Sequence, residues 1–219
     1  MSSGYSAILF DLDGTITDSA PGITATLVYT FEKLGLRIPD AEELLRYVGP
    51  PLLDSFRDIA GMTADEAEDA LVVYREKYLD DGAYDSSVYE GIPQLLKRIA
   101  QSDIPMSLAT SKPELPATLI LEHYALATCF DIITGASADE VRSAKKDVVA
   151  EALVRLKAMG ADLSNPVLIG DRTHDVEGAA ANGVPTIFVT WGYGSVEEQA
   201  GAIAVVETPA ELEALLFGE

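Results

Sequence analysis

An α/β fold is predicted, a doubly wound parallel sheet with a small α-helical bundle inserted after its first strand, and three observations predict it. Short apolar runs recur along the chain with helix-length segments between them. From residue 92 onward the spacing between runs suits one crossover helix each, the pattern of parallel strands covered by helices on both faces, as in a Rossmann-like core. One interval breaks this rhythm, because more than 90 residues separate the first run from the second and most of them read as helix upon helix.

The runs, in order, are Ala7-Ile8-Leu9-Phe10, Met106-Ser107-Leu108-Ala109, Phe130-Asp131-Ile132-Ile133, Val167-Leu168-Ile169, Thr186-Ile187-Phe188-Val189 and Ile203-Ala204-Val205-Val206. Their length suits buried strands. Within the long interval, Pro21 to Leu36 is a helical pattern ended by Gly35 and Pro39, and Ala41 to Val48 is ended by Gly49-Pro50-Pro51. Leu52 to Ala60 and Thr63 to Leu79 follow, the last opened by the capping box Thr63-Ala64-Asp65-Glu66. Four such helices can bury their apolar faces on one another. A helical cap is therefore expected at residues 18–84, over an α/β core formed by residues 1–17 and 85–219. Thr208-Pro209-Ala210-Glu211 supplies an N-cap and a proline at the first helical position, which predicts a final helix over about 209–217.

The chain of 219 residues is long enough for one domain, or one core with a modest insertion, and its 48% hydrophobic and 23% charged residues are those of a soluble protein. No apolar run approaches the roughly 18 residues of a membrane helix. Thirty-six acids against 15 bases give a net charge of −21. That field repels a phosphate backbone and anionic lipid, so neither nucleic acid nor membrane is an expected partner. The lone cysteine, Cys129, reads as a buried, inert thiol. Met1-Ser2-Ser3-Gly4-Tyr5 shows neither the basic nor the long apolar region of a leader, which predicts a cytoplasmic protein. Oligomeric state is silent in the sequence.

Ligands of open parallel sheets bind beyond the carboxyl ends of the strands. After the first run stands Asp11-Leu12-Asp13-Gly14-Thr15, after the second Thr110-Ser111-Lys112, and after the fourth Gly170-Asp171-Arg172-Thr173-His174-Asp175. Lys145-Lys146 opens the helix before that fourth run. Carboxylates converging on one edge repel each other unless a cation sits among them, and an all-oxygen set with no His or Cys cluster selects a hard ion such as Mg²⁺. Asp171 and Asp175, four apart at a strand-to-helix turn, can face one ion together. Mg²⁺ commonly shares its shell with substrate phosphate, and the remaining groups suit phosphoryl transfer. Asp11 would attack phosphorus, and Asp13 would give a proton to the leaving oxygen and later take one from water. Thr110 would hold phosphate oxygens, and Lys145 or Lys146 would neutralise the transferring group.

At these residues the sequence resembles the haloacid dehalogenase superfamily of phosphatases, in its phosphoglycolate phosphatase-like branch with a helical cap. The four motifs fall in order on Asp11-Leu12-Asp13-Gly14-Thr15, Thr110-Ser111-Lys112, Lys145 and Gly170-Asp171-Arg172-Thr173-His174-Asp175. The resemblance implies Asp11 as nucleophile, Asp13 as acid and base, and Thr110 and Lys145 on the phosphate together with Gly14, Thr15 and Ser111. It implies Mg²⁺ held by Asp11, the backbone carbonyl of Asp13 and Asp171, with Asp175 supporting. Lys145-Lys146-Asp147-Val148 matches the third motif with Lys145 as its lysine. Dehalogenating members lack the second aspartate of the first motif, so the presence of Asp13 favours phosphotransfer.

The implied reaction is hydrolysis of a small phosphorylated metabolite resembling phosphoglycolate through an aspartyl phosphate. Rivals are a 5'-nucleotidase-type or sugar-phosphate phosphatase, a phosphomutase with the same core residues, a receiver-type phospho-acceptor domain, and a binding module without catalysis. Substrate choice is expected in the cap, at Gly49 and Pro50 with Arg46 and Arg57 flanking, where a carboxylated substrate would want an arginine. Blander readings apply elsewhere. Asp11 to Asp13 could be turn residues and Thr110 a helix cap, Arg172 reads as a structural ion pair, His123 as a surface residue and Trp191-Gly192-Tyr193-Gly194 as a packed loop. His174 reads as exposed or supporting, and not as a metal ligand.

Overall fold

The computed structural model describes residues 4–218. Met1, Ser2 and Ser3, part of the stretch read above for leader features, and Glu219, the last residue assigned to the core, lie outside the described residues. β1 (Ala7–Phe10) leads through a tight turn to β2 (Thr17–Asp18) and then to α1 (Ala20–Lys33), α2 (Ala41–Leu45), α3 (Leu52–Asp58) and α4 (Ala64–Asp80). β3 (Ser87–Val88) returns antiparallel to β2, pairing Val88 with Thr17 and Ser87 with Asp18. Strands and helices then alternate as α5 (Ile92–Ala100), β4 (Met106–Pro113), α6 (Glu114–His123), β5 (Ile132–Ala136), α7 (Lys145–Ala158), β6 (Pro166–Gly170), α8 (Thr173–Ala180), β7 (Thr186–Val189), β8 (Ala204–Val206) and α9 (Pro209–Phe217).

The six core strands form one parallel sheet in the order β5-β4-β1-β6-β7-β8. The alternation of a pleated strand sorts β1 onto both faces. Ile8 and Phe10 join the apolar cluster filled by Leu95, Leu96 and Ile99 of α5, Ile120 of α6 and Leu212 of α9. Ala7 and Leu9 join the cluster on the opposite face, filled by Val148, Val149 and Ala152 of α7 and Ala179 of α8. This is the doubly wound α/β arrangement expected from the spacing of the runs.

The helices between β2 and β3 pack on one another around Phe31, Tyr47 and Phe56, whose ring centroids stand 6.1 to 6.2 Å apart. Their apolar side chains are continuous with the Ile8 and Phe10 face of the sheet through Leu12 and Ile16. Asp40 and Thr63 close capping boxes with Glu43 and Glu66. Thr208 accepts from the Glu211 N–H at the start of α9. Cys129 is buried. No helix among the described residues is long and apolar enough to cross a membrane.

Two expectations need correction. α2 stops at Leu45 and the chain turns before Gly49, so the second inserted helix is a single short turn and a half. Between β7 and β8 there is no crossover α-helix, only a 3₁₀ turn at Glu197–Gln199. Its place is taken by the loop from Thr190, whose glycines hold it against the carboxyl end of β6.

Candidate active site

Because β1 lies between β4 and β6, the residues following Phe10, Ala109 and Ile169 meet at one edge. The Asp11 N–H donates to the Ile169 carbonyl at 2.9 Å, which fixes the strand tip. Asp11, Asp13, Thr110, Lys145, Asp171 and Asp175 are all buried there.

Lys145, the first residue of α7, reaches back over the tips of the strands. Its Nζ stands 2.7 Å from Asp11 Oδ1 and 2.8 Å from Asp175 Oδ1, and donates to the Ala109 carbonyl at 3.0 Å. Burial works against its charge, but the two facing carboxylates outweigh burial and hold the ammonium above its ordinary range. Lys146 is exposed, so the geometry separates the two lysines that the sequence left open before the family was considered.

Asp175 is doubly held, since its Oδ2 accepts the N–H groups of Asp171 at 3.1 Å and Arg172 at 3.0 Å. Asp171 accepts from Tyr193 N–H at 2.7 Å and from the Thr15 hydroxyl at 3.2 Å. Two glycines make room for that carboxylate. A Cβ on Gly14, at φ +83°, or on Gly192 would collide with the Asp171 side chain. The same loop is tied down by Trp191, whose indole N–H donates to the Thr15 carbonyl at 3.0 Å.

One oxygen each from Asp11, Asp171 and Asp175 lies within 4.8 Å of the others. Burial raises the Asp11 carboxyl above its ordinary value, with Lys145 pulling it down and Asp175 pushing it up. Asp171 is pushed well above, first by burial and then by Asp175 and Asp11. Three buried carboxylates with one lysine leave negative charge uncompensated, and a hard, oxygen-binding dication fits such a donor set.

Asp13 belongs to a second pair. Its Oδ2 stands 3.0 Å from the Nζ of Lys112, which also donates to the Tyr78 hydroxyl at 3.0 Å. Its Oδ1 is buried and has no hydrogen-bond partner. Beside Asp13 opens a cavity of ≈ 210 Å³ between α4 and the start of α6. Ser111 lines it with a buried, unpartnered hydroxyl, while Thr110 Oγ1 accepts the Lys112 N–H at 3.3 Å.

Of the four residues expected in the cap, Gly49 and Pro50 line this cavity. Arg46 stands in a different cleft with Lys146 and His174, and Arg57 lines neither. His174 is half-buried and is not among the clustered carboxylates, and His123 packs on the surface against Tyr84 and Tyr124. Arg172 makes the expected ion pair, to Glu198 at 2.9 Å, and also donates to the Val48 carbonyl at 2.6 Å. Sequence reasoning gave no role to Lys112 or Tyr193. Lys112 was within reach of it, because it stands two residues after Thr110 at the same strand end.

Among curated relatives, the chain is 39% identical over 190 residues to the tyrosine-protein kinase PtkA of Mycobacterium tuberculosis, covering 87% of this chain and 64% of that protein, so it spans less than two thirds of that relative. It is 38% identical to a 5'-nucleotidase of Pseudomonas aeruginosa, covering 89% and 86% of the two chains, and 33% identical to a phosphoglycolate phosphatase of Rhodospirillum rubrum, covering 94% and 88%. A crystal structure described as a predicted phosphatase from Clostridium acetobutylicum superposes with a TM-score of 0.91 at 38% identity, over 98% of this chain and 99% of that one. Residues 8–189 match the model of the haloacid dehalogenase-like hydrolases, and with the strand-tip carboxylates and lysine in place the chain belongs to that family.

Proposed function

We propose that the chain is a Mg²⁺-dependent phosphatase that hydrolyses a small phosphomonoester through an aspartyl phosphate on Asp11. The observation that carries this reading is Asp11 itself, held by Lys145 at 2.7 Å on one oxygen at a buried strand tip, with Asp13 two residues on and one of its oxygens unpartnered. The names of the relatives, a tyrosine-protein kinase, a 5'-nucleotidase and a phosphoglycolate phosphatase, all denote movement of a phosphoryl group.

In the first half-reaction a carboxylate oxygen of Asp11 attacks phosphorus while the ester P–O bond breaks. Asp13 passes a proton to the departing alkoxide. In the second, the Asp13 carboxylate takes a proton from water as that water attacks phosphorus. The bond to Asp11 then breaks, releasing inorganic phosphate and restoring both carboxyl groups. Lys145 pulls the Asp11 carboxyl down against burial and offers positive charge to the transferring oxygens, with Thr110 and Ser111 as further donors. Lys112 fixes Asp13 by Oδ2 and so leaves Oδ1 for the proton. Bound among Asp11, Asp171 and Asp175, with the Asp13 backbone carbonyl as the family pattern implies, Mg²⁺ would offset their repulsion and draw charge from the phosphate. Residues 18–84 act in this reading as a cap over a core of residues 1–17 and 85–219, supplying contacts to the part of the substrate that is not phosphate.

The test is Mg²⁺-dependent release of phosphate by wild type and Asp11→Asn side by side. The variant should stay folded and lose on the order of 10⁴-fold or more in kcat. EDTA should silence the wild type and excess Mg²⁺ restore it. Turnover by Asp11→Asn would remove the covalent route, and EDTA-resistant turnover would remove the metal. Independently of activity, Mg²⁺ at about 100 times its Kd should stabilise the wild type by about 2.7 kcal/mol, a gain that Asp171→Asn should forfeit.

A further inference from the structure

We infer that the leaving group this site accepts is uncharged and apolar, about the size of one aromatic ring, and not a carboxylate-bearing group; the inference rests on the phosphatase reading above. The cavity beside Asp13 encloses ≈ 210 Å³. A cavity of about 150 Å³ walled by aliphatic and aromatic side chains takes up benzene, so this one holds a ring with a short substituent. Its walls are the apolar side chains of Leu52, Leu71, Tyr74, Tyr78, Leu115 and Pro116. Tyr74 and Tyr78 lie side by side, with ring centroids 5.3 Å apart and planes 14° from parallel.

Charge decides against an anionic leaving group. The two cations among the lining residues are both engaged, Lys112 by Asp13 at 3.0 Å and Arg75 by Glu140. A carboxylate entering here would be desolvated against apolar walls without a free cation, which is costly. It would also meet two carboxylates already present. Arg46 and Arg57, the residues a carboxylated substrate would want, stand outside the cavity. A neutral ring loses only its hydration on entry and gains by burial.

The experiment compares kcat/KM of the wild type, with Mg²⁺, on benzyl phosphate, ethyl phosphate and phosphoglycolate. All three lose an alkoxide, so the ranking reads the cavity. Benzyl phosphate should exceed each of the others by about tenfold or more, the discrimination a well-fitted apolar pocket provides. Leu115 is 63% exposed, so Leu115→Trp can fill the cavity from its rim without disturbing the core. It should shrink the benzyl-to-ethyl ratio at least about threefold. Glu140→Gln, which releases Arg75, should raise phosphoglycolate relative to ethyl phosphate. Phosphoglycolate equal to or better than benzyl phosphate, or a benzyl-to-ethyl ratio unmoved by Leu115→Trp, overturns the leaving-group assignment and leaves the phosphatase reading intact. Absence of turnover on all three esters overturns both.

Discussion

The two halves of the site treat charge in opposite ways. On the Lys145 side three buried carboxylates, Asp11, Asp171 and Asp175, face one lysine, and two negative charges remain without a partner among them. On the Lys112 side two carboxylates meet two cations, Lys112 with Asp13 and Arg75 with Glu140, and the balance closes. The halves adjoin at the strand tips, and although the Arg75–Glu140 pair is only half-buried, Lys112 and Asp13 are nearly as buried as the Lys145 cluster, so burial alone does not distinguish them. The difference lies in what each still lacks. An unbalanced acidic cluster calls for a cation from outside, whereas a balanced one with apolar walls calls for a neutral ligand. In a chain of net charge −21 this buried cluster is one place where the excess of acid stands without enough cationic partners.

Lys145→Met should break this comparison most severely. It leaves Asp11 and Asp175 buried without their ammonium, and removing one partner of a buried ion pair costs about 3–5 kcal/mol. Urea denaturation should show that loss, and Mg²⁺ should recover part of it by taking over the neutralising role. A Lys145→Met protein as stable as wild type without Mg²⁺ would mean that the cluster is already balanced by protonation.

The acidic residues at the strand tips were legible in the sequence, whereas the cations that balance Asp13 and Glu140 and most of the cavity's walls were not, for a physical reason. Asp11, Asp13, Asp171 and Asp175 sit within a few residues of apolar runs, so a strand-end rule places them without knowing any distant contact. Lys145 followed from the family pattern, and its burial against Asp11 and Asp175 is what separates it from Lys146. The cavity is assembled from α4, the start of α6 and the loop at Ala138 and Glu140, segments that sequence spacing cannot bring together. Arg46 and Arg57 flank Gly49 and Pro50 in the sequence, yet Arg75, a full helix away, is the arginine at the wall. The missing helix between β7 and β8 has a similar origin. Its spacing suited a crossover, but Gly192 packs on Asp171 and commits the loop to the site.

That loop offers a sharper probe of the acidic half. Tyr193 donates its N–H to Asp171, while its hydroxyl donates to Asp18 at 2.7 Å and accepts the N–H groups of Ser19 at 2.8 Å and Ala20 at 3.0 Å. Asp18 to Ala20 is where the chain enters α1, so one residue joins the carboxylate cluster to the root of the inserted helices. Tyr193→Phe keeps the contact to Asp171 and loses the other three. Leaving buried donors unsatisfied costs about 1–3 kcal/mol, and thermal unfolding should show it. If the link positions the helices over the strand tips, KM should rise more than kcat falls. Unchanged kcat and KM would assign Tyr193 to Asp171 alone, because the substitution leaves that contact in place.

The smallest effect is expected furthest from both halves. Thr208 caps α9 by accepting the Glu211 N–H at 3.2 Å, and α9 packs against α5 through Leu212 and Leu216. Thr208→Ala should cost about 1 kcal/mol, the usual value of an N-cap. In a chain of this size that lowers Tm by about 2–4 °C. Mg²⁺ affinity and the ranking of esters should not change, because neither the cluster nor the cavity touches α9. A shift in either would mean that stability lost anywhere in the sheet reaches the strand tips, and that the charge balance of the two halves depends on the rigidity of the core beneath them.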